Sequence, residues 1–101
     1  MPERDALIRR AQLMLVRAYV APRTPVEERL ARIWRDVLGM DAVGVEDSYY
    51  DLGGDSFLAA VIFAQIQEEF GINLPMATLI RSPTIAQLAL KIQQPTPASG
   101  D

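Results

Sequence analysis

The 101 residues contain no cysteine and no histidine. The first absence excludes disulfides, thiolate metal sites and a cysteine nucleophile. The second removes the Ser-His-Asp triad, the zinc-protease helix and imidazole general-base catalysis together. Lys91 is the only lysine, so a single amine nucleophile remains. No apolar run reaches the length of a membrane span. The first residues lack the continuous apolar stretch and small-residue cleavage site of a secretory signal, so the expected compartment is the cytoplasm. Bases are missing from one long stretch: Asp36 to Asp55 holds six acids and none. A chain so short of catalytic side chains is expected to do little chemistry unaided and to hold no metal.

What is present suits one small domain. Half the residues are apolar and 23% are charged, enough to fold around a modest core. The formal charge is −3. It is unevenly spread: residues 1–23 carry two acids and five arginines, whereas residues 24–94 carry ten acids and five bases. An acidic domain repels phosphate backbones, which argues against nucleic-acid binding and for basic partner surfaces.

The periodicity predicts helices and no strands. Residues 3–20 have a helix-forming composition, with Leu7, Ala11, Met14 and Ala18 in a broad stripe that Ile8, Leu13, Leu15 and Val16 fall outside. Pro22 and Pro25 then stiffen a link, and the domain boundary is placed at residue 22. Thr24, Pro25 and Glu27 form a capping box. Leu30, Ile33, Trp34, Val37 and Leu38 follow on one helical face that Gly39 ends, and Trp34 reads as core. Arg29, Arg32 and Arg35 read as a solvated face, and Glu68 and Glu69 as solvated helix-end residues. Residues 40–54 are a long acidic loop with Val43, Val45, Tyr49, Tyr50 and Leu52 pinning it to the core. Asp55 caps a second strong helix ending at Phe70 and Gly71. A short helical turn is expected at 76–81. A last helix starts under Ser82 or Thr84 and ends near Gln94, before a disordered tail at 95–101.

One segment carries a functional signal: Asp51-Leu52-Gly53-Gly54-Asp55-Ser56-Phe57-Leu58. Ser56 falls in the first turn of a helix, where free N–H groups and the positive end of the dipole favour an anion. The glycines keep side chains away from its hydroxyl and let another protein approach. On a helical wheel Leu58, Ala59, Ile62, Phe63, Ile66 and Phe70 form the core face. The opposite side starts with Ser56, Phe57, Ala60, Val61 and Ala64, apolar where a solvated face should be polar. A modifiable hydroxyl at the edge of such a patch points to a docking surface. A hydrolase is excluded, because Leu58 stands where the nucleophile elbow needs glycine and no histidine can act as base.

Tyr49-Tyr50-Asp51-Leu52-Gly53-Gly54-Asp55-Ser56-Phe57 resembles the attachment motif of phosphopantetheine-dependent carrier proteins. The tandem glycines and aromatic pair are similar to the peptidyl carrier (thiolation) domains of nonribosomal peptide synthetases. Pro22-Arg23-Thr24-Pro25 with Glu27-Glu28, Ile33-Trp34 and Val37-Leu38 resembles that family's linker and first helix. Ser82-Pro83-Thr84-Ile85 resembles the start of its last helix. The resemblance covers residues 22–93 and implies an all-α, small four-helix carrier bundle, three main helices plus one short, with residues 3–20 as an extra N-terminal helix. The domain division is 1–21 extra helix and linker, 22–94 carrier, 95–101 tail.

The resemblance further implies a non-catalytic carrier, a phosphoprotein of antibiotic biosynthesis and secondary metabolism. Ser56 would receive 4'-phosphopantetheine from coenzyme A through a phosphopantetheinyl transferase. The arm would hold an aminoacyl or peptidyl group as a thioester. Asp55 and Gly54 would shape the attachment site. Phe57, Ala60, Val61 and Ala64 would dock partners: an adenylation enzyme or domain, then condensation, epimerisation, tailoring or thioesterase partners. A monomer is expected, with no nucleic acid or membrane among its partners. Asp55 stands where many members carry histidine, a form found beside epimerisation domains, in aryl carriers and in hybrid polyketide lines. An acyl carrier of a polyketide or hybrid line is therefore an alternative, and a non-carrying helical interaction domain is another. The N-terminal helix is open between an upstream remnant, a docking helix, an element of a free-standing carrier and a brace packed on the bundle.

Overall fold

The computed structural model of the chain describes residues 9–13, 15 and 17–93. Four α-helices form among them: α1 (Pro25–Leu38), α2 (Ser56–Phe70), α3 (Ala77–Arg81) and α4 (Ile85–Gln93), with no strand. This is the expected bundle of three main helices and one short one. The last residues, 94–101, including the expected tail, lie outside the described residues.

Helices α1, α2 and α4 begin at capping side chains, whereas α3 has none. The Thr24 hydroxyl accepts the Glu27 N–H at 3.1 Å, and Pro25 takes the first helical position. The second half of the expected capping box differs. The Glu27 carboxylate accepts the Arg23 N–H at 2.8 Å and the Arg23 guanidinium at 3.0 Å. Burial alone pushes that carboxyl up, yet the bonds from Arg23 outweigh it and hold it below the usual carboxylate range. The last helix is capped by Thr84, whose hydroxyl accepts the Gln87 N–H at 3.2 Å. Ser82 instead closes α3, its N–H bonded to the Thr78 carbonyl.

The core lies where α1 meets α2 and α4. Leu30, Trp34, Ile62, Ile66, Ile85 and Leu88 are fully buried. Trp34 is core, as its helical phase predicts, and it meets the Tyr49 ring edge-on, with centroids 5.4 Å apart. Arg29 and Arg32 both reach the Glu69 carboxylate, at 2.8 and 2.9 Å, and Arg29 lies over the Phe70 ring. Two arginines of the supposed solvated face, and the supposed solvating Glu69, thus tie α1 to the end of α2. All three groups are part-exposed, so each pair contributes only about 0.2–1 kcal/mol.

The loop between α1 and α2 is built like a core element. Val43, Val45, Tyr49 and Leu52 are buried, whereas Tyr50, expected to help pin the loop, is exposed. Val45 bridges two neighbours, its N–H to the Val20 carbonyl and its carbonyl to the Ala86 N–H. Tyr49 donates its N–H to the Pro83 carbonyl at 2.8 Å. Asp47 is not part of an open acidic surface. Its side chain is 1% exposed, accepts the Gly44 N–H, and takes two bonds from the Arg10 guanidinium, both at 2.6 Å.

That contact replaces the expected helix over 3–20 in its described part, residues 9–13, 15 and 17–20; residues 3–8 lie outside the described residues. Among the described residues only Arg10–Leu13 form a helical turn, of the tighter 3-10 kind, and residues 17–24 are neither helix nor strand. The reason is tertiary. Arg10 is anchored by its side chain to Asp47 and by its N–H to Asp41 at 2.8 Å, while Val20 is held by Val45. Leu13, Leu15 and Val20 pack on the core, whereas Ala11 and Ala18 of the predicted stripe are exposed. The described residues of this segment form a strap on the loop, shaped by those anchors rather than by helix propensity. The stripe residues Leu7 and Met14 lie outside the described residues.

Candidate functional site: the start of helix α2

Ser56 is the first residue of α2 and is exposed. Asp55, in extended geometry, caps the helix by accepting the Leu58 N–H at 2.9 Å. Among the described residues nothing accepts the N–H groups of Ser56 and Phe57. An exposed hydroxyl therefore stands beside two free donors at the positive end of a 15-residue helix. Asp51 and Asp55 are exposed nearby and, among the described residues, form no ion pair.

The tandem glycines have two separate causes. Gly53 has φ +86°, a left-handed conformation that side chains resist. Gly54 is needed for what lies beneath it: a Cβ there would stand inside the Tyr49 ring. Open space for a partner, the reason its sequence neighbours suggest, is thus not what requires Gly54. Gly54→Ala should cost about 1–3 kcal/mol, as overpacking of a filled core does. A chemical-denaturation midpoint would show the loss. An unchanged midpoint would mean that Tyr49 does not fill this space.

Tyr49 supports the site from below. It is 1% exposed, and its hydroxyl donates to the Asp55 carbonyl at 2.7 Å. Burial, then the neighbouring Asp55 charge, pushes that hydroxyl up to about 12, so it is a protonated donor at neutral pH.

The predicted faces of α2 are those observed. Ala59, Ile62, Phe63 and Ile66 are buried, while Phe57 is 75% exposed and Ala60 and Ala64 are exposed. Val61 is half-buried, at the edge of this outer face. Phe57, Ala60, Val61 and Ala64 line a shallow groove with Gln65, Gln67 and Glu68. A second groove, of about 290 Å³, opens on the other flank of Ser56 between Tyr50, Ala59, Met76 and Ile80. Met76 and Ile80 were not among the residues singled out in the sequence. Their signal was available: large apolar side chains at i and i+4 around a helix too short to bury both. Among the described residues no cluster of acids could hold a metal ion, and no helix is long and apolar enough to cross a membrane.

Comparison with known proteins agrees with this geometry. A family model described as "Phosphopantetheine attachment site" matches residues 28–92. Gramicidin S synthase 2 of Brevibacillus brevis is 44% identical over 71 residues, which is 70% of this chain and 2% of that protein. The chain thus spans a very small part of such curated relatives. A peptidyl carrier protein solved in complex with the phosphopantetheine transferase Sfp and coenzyme A superposes with a TM-score of 0.73 at 39% identity, covering 74% of this chain and 97% of that one. A solution structure described as a prototype for the peptidyl carrier domains of modular peptide synthetases gives 0.68 at 39% identity, covering 75% of this chain and all of that one. On the match across residues 28–92 and these identities, the chain belongs to the phosphopantetheine-attachment family, among its non-catalytic peptidyl carrier (thiolation) domains.

Proposed function

We propose that Ser56 carries the 4'-phosphopantetheine arm, and that the domain uses it to pass aminoacyl or peptidyl groups between the enzymes of a cytoplasmic peptide assembly line. The observation that carries this reading is the exposed Ser56 hydroxyl beside two unaccepted N–H groups at the capped start of α2. The residues fit the group. A phosphodiester at Ser56 finds donors and a favourable dipole, and its tail finds open apolar surface on either flank. When bound, the arm supplies the thiol that the chain lacks and holds the cargo as a thioester.

The roles of the chain's own residues follow from their positions. In attachment the Ser56 oxygen bonds to the phosphorus of coenzyme A. The phosphorus–oxygen bond to the nucleotide breaks, adenosine 3',5'-bisphosphate leaves, and the hydroxyl proton is released to the transferase. Asp55 fixes the helix start through Leu58, and Gly54 lets Tyr49 pack beneath it. Phe57, Ala60, Val61 and Ala64 form the docking face for the transferase, the adenylation partner and the downstream enzymes. The carrier unit spans residues 22–94, and residues 1–21 are separable from it.

Intact-mass analysis after incubation with coenzyme A and a phosphopantetheinyl transferase should show one added arm, mapped by fragmentation to Ser56. An arm on Ser48 or Ser82, or none, would overturn the assignment.

A further inference from the structure

We infer that Tyr49 is a positioning residue for modification of Ser56: its buried hydroxyl holds the Asp55–Ser56 peptide in the one orientation that presents the serine oxygen. The inference rests on the reading that Ser56 takes the arm, and it adds a requirement beneath the surface that a transferase touches.

The problem it solves lies in the backbone. Two glycines precede Asp55 and Ser56, one of them in a left-handed conformation, and glycine restrains the chain least of all residues. A nucleophile misplaced by about 1 Å can lose a hundredfold in rate. Something must therefore fix the peptide that enters α2. Asp55 caps the helix from its exposed side, and its carboxylate grips Leu58 rather than Ser56.

Tyr49 grips that peptide from the interior. Its side chain and backbone together tie four parts of the fold. The ring meets Trp34 of α1 edge-on and fills the space over Gly54. Its N–H is tied to Pro83, in the link between α3 and α4. Its carbonyl accepts the N–H groups of Leu52 and Gly54, which closes the turn leading to the site. Its hydroxyl then donates to the Asp55 carbonyl, the oxygen that also accepts the Ala59 N–H as the first bond of α2. The acceptor belongs to the same peptide unit as the Ser56 N–H. A bond at the carbonyl both locks the plane of that unit and strengthens its N–H as a donor. Tyr49 thus couples the core packing to the orientation of Ser56 without reaching the surface.

Tyr49→Phe keeps the ring and removes only the hydroxyl. With coenzyme A and a phosphopantetheinyl transferase, kcat should fall about 3–10-fold while KM for the carrier stays within about twofold, because the docking face is untouched. The control is Ile85→Val, a small cavity at a fully buried position of α4, which lowers stability while keeping the Tyr49 hydroxyl and its bond to Asp55, and should leave kcat unchanged. In the unmodified wild-type chain, the Tyr49 hydroxyl proton should be protected enough from exchange to be seen by NMR, and the Ser56 amide resonance should shift in Tyr49→Phe but not in Ile85→Val. If the wild-type chain accepts no arm, the carrier reading itself fails. If wild type is modified and Tyr49→Phe keeps its kcat, loses no more than Ile85→Val, or changes only KM, the positioning role is overturned. Should Tyr49→Phe not fold, a rapidly exchanging wild-type hydroxyl proton would overturn it, and a protected one would support it.

Discussion

Ile62→Glu should abolish the cooperative fold. Ile62 is fully buried in the middle of α2, with Ala59, Phe63 and Ile66 buried on the same face. A carboxylate there has no cation to meet and no path to water. The substitution loses about 1.5–3 kcal/mol of apolar burial and adds the larger cost of an unpaired buried charge. A domain of this size has a total stability of about 5–15 kcal/mol. The combined loss consumes most or all of it. Far-ultraviolet circular dichroism should show a chain largely unfolded at 25 °C, with no cooperative melt. A cooperative melt near that of the wild type would mean that α2 is rotated from the phase described above.

Phe57→Glu on the same helix should behave oppositely. Phe57 is 75% exposed and occupies the first turn of α2, where a carboxylate interacts favourably with the helix dipole. The fold should therefore be retained within about 0.5 kcal/mol. Arm transfer should slow by at least about tenfold if the outer face docks the transferase, since removing one apolar anchor from an interface commonly costs more than 1 kcal/mol. Val61→Glu falls between the two, because Val61 is half-buried. A glutamate there can extend its carboxylate to water from the edge of the groove.

The contrast between these two residues was legible in the sequence, and for a definite reason. Helices α1 and α2 announce themselves by local rules: a capping hydroxyl or carboxylate at Thr24 and Asp55, an apolar face at 3.6-residue spacing, and a glycine stop. Each rule is read within a single helix and its flanking residues, so one sequence suffices. The start of α4 was narrowed to two candidates, and geometry selected Thr84. What failed were features set by residues far apart in the chain. Residues 3–20 have good helix formers, but Arg10 answers to Asp47, 37 positions away, and no local rule can see that. The same holds for Gly54. Its neighbours in sequence suggest access for a partner, while its neighbour in space is the Tyr49 ring. Glu69 looked like a solvating residue until α1 brought Arg29 and Arg32 against it. The attachment motif was readable because it is local; the support beneath it was not, because Trp34 and Pro83 reach it through the fold.

Arg10→Ala should destabilise the domain more than deletion of the whole strap would by its charge alone. In the full chain the Asp47 carboxylate is 1% exposed under the strap, and Arg10, itself 14% exposed at its side chain, is its only cationic partner among the described residues. Removing that partner leaves a buried carboxylate with the Gly44 N–H as its remaining side-chain bond. Breaking a well-buried pair in this way costs about 3–5 kcal/mol, and the partial exposure of Arg10 places this case near the lower figure. For a domain of this size that corresponds to a fall of about 10–20 °C in Tm. A chain starting at Ala21 loses the same guanidinium but also the cover, so water can solvate Asp47 and offset much of the electrostatic cost. It loses the packing of Leu13, Leu15 and Val20 and the bond from Val45 to Val20 instead. That truncated chain should still melt cooperatively and accept the arm, as expected of a carrier unit that begins at residue 22. Asp47→Asn in the Arg10→Ala background should recover part of the lost stability, because the buried charge is gone. Differential scanning calorimetry of the four proteins distinguishes the outcomes. An Arg10→Ala chain that melts like the wild type would mean that the strap does not seal Asp47, whereas a truncated chain that fails to fold would make residues 1–21 part of the carrier core.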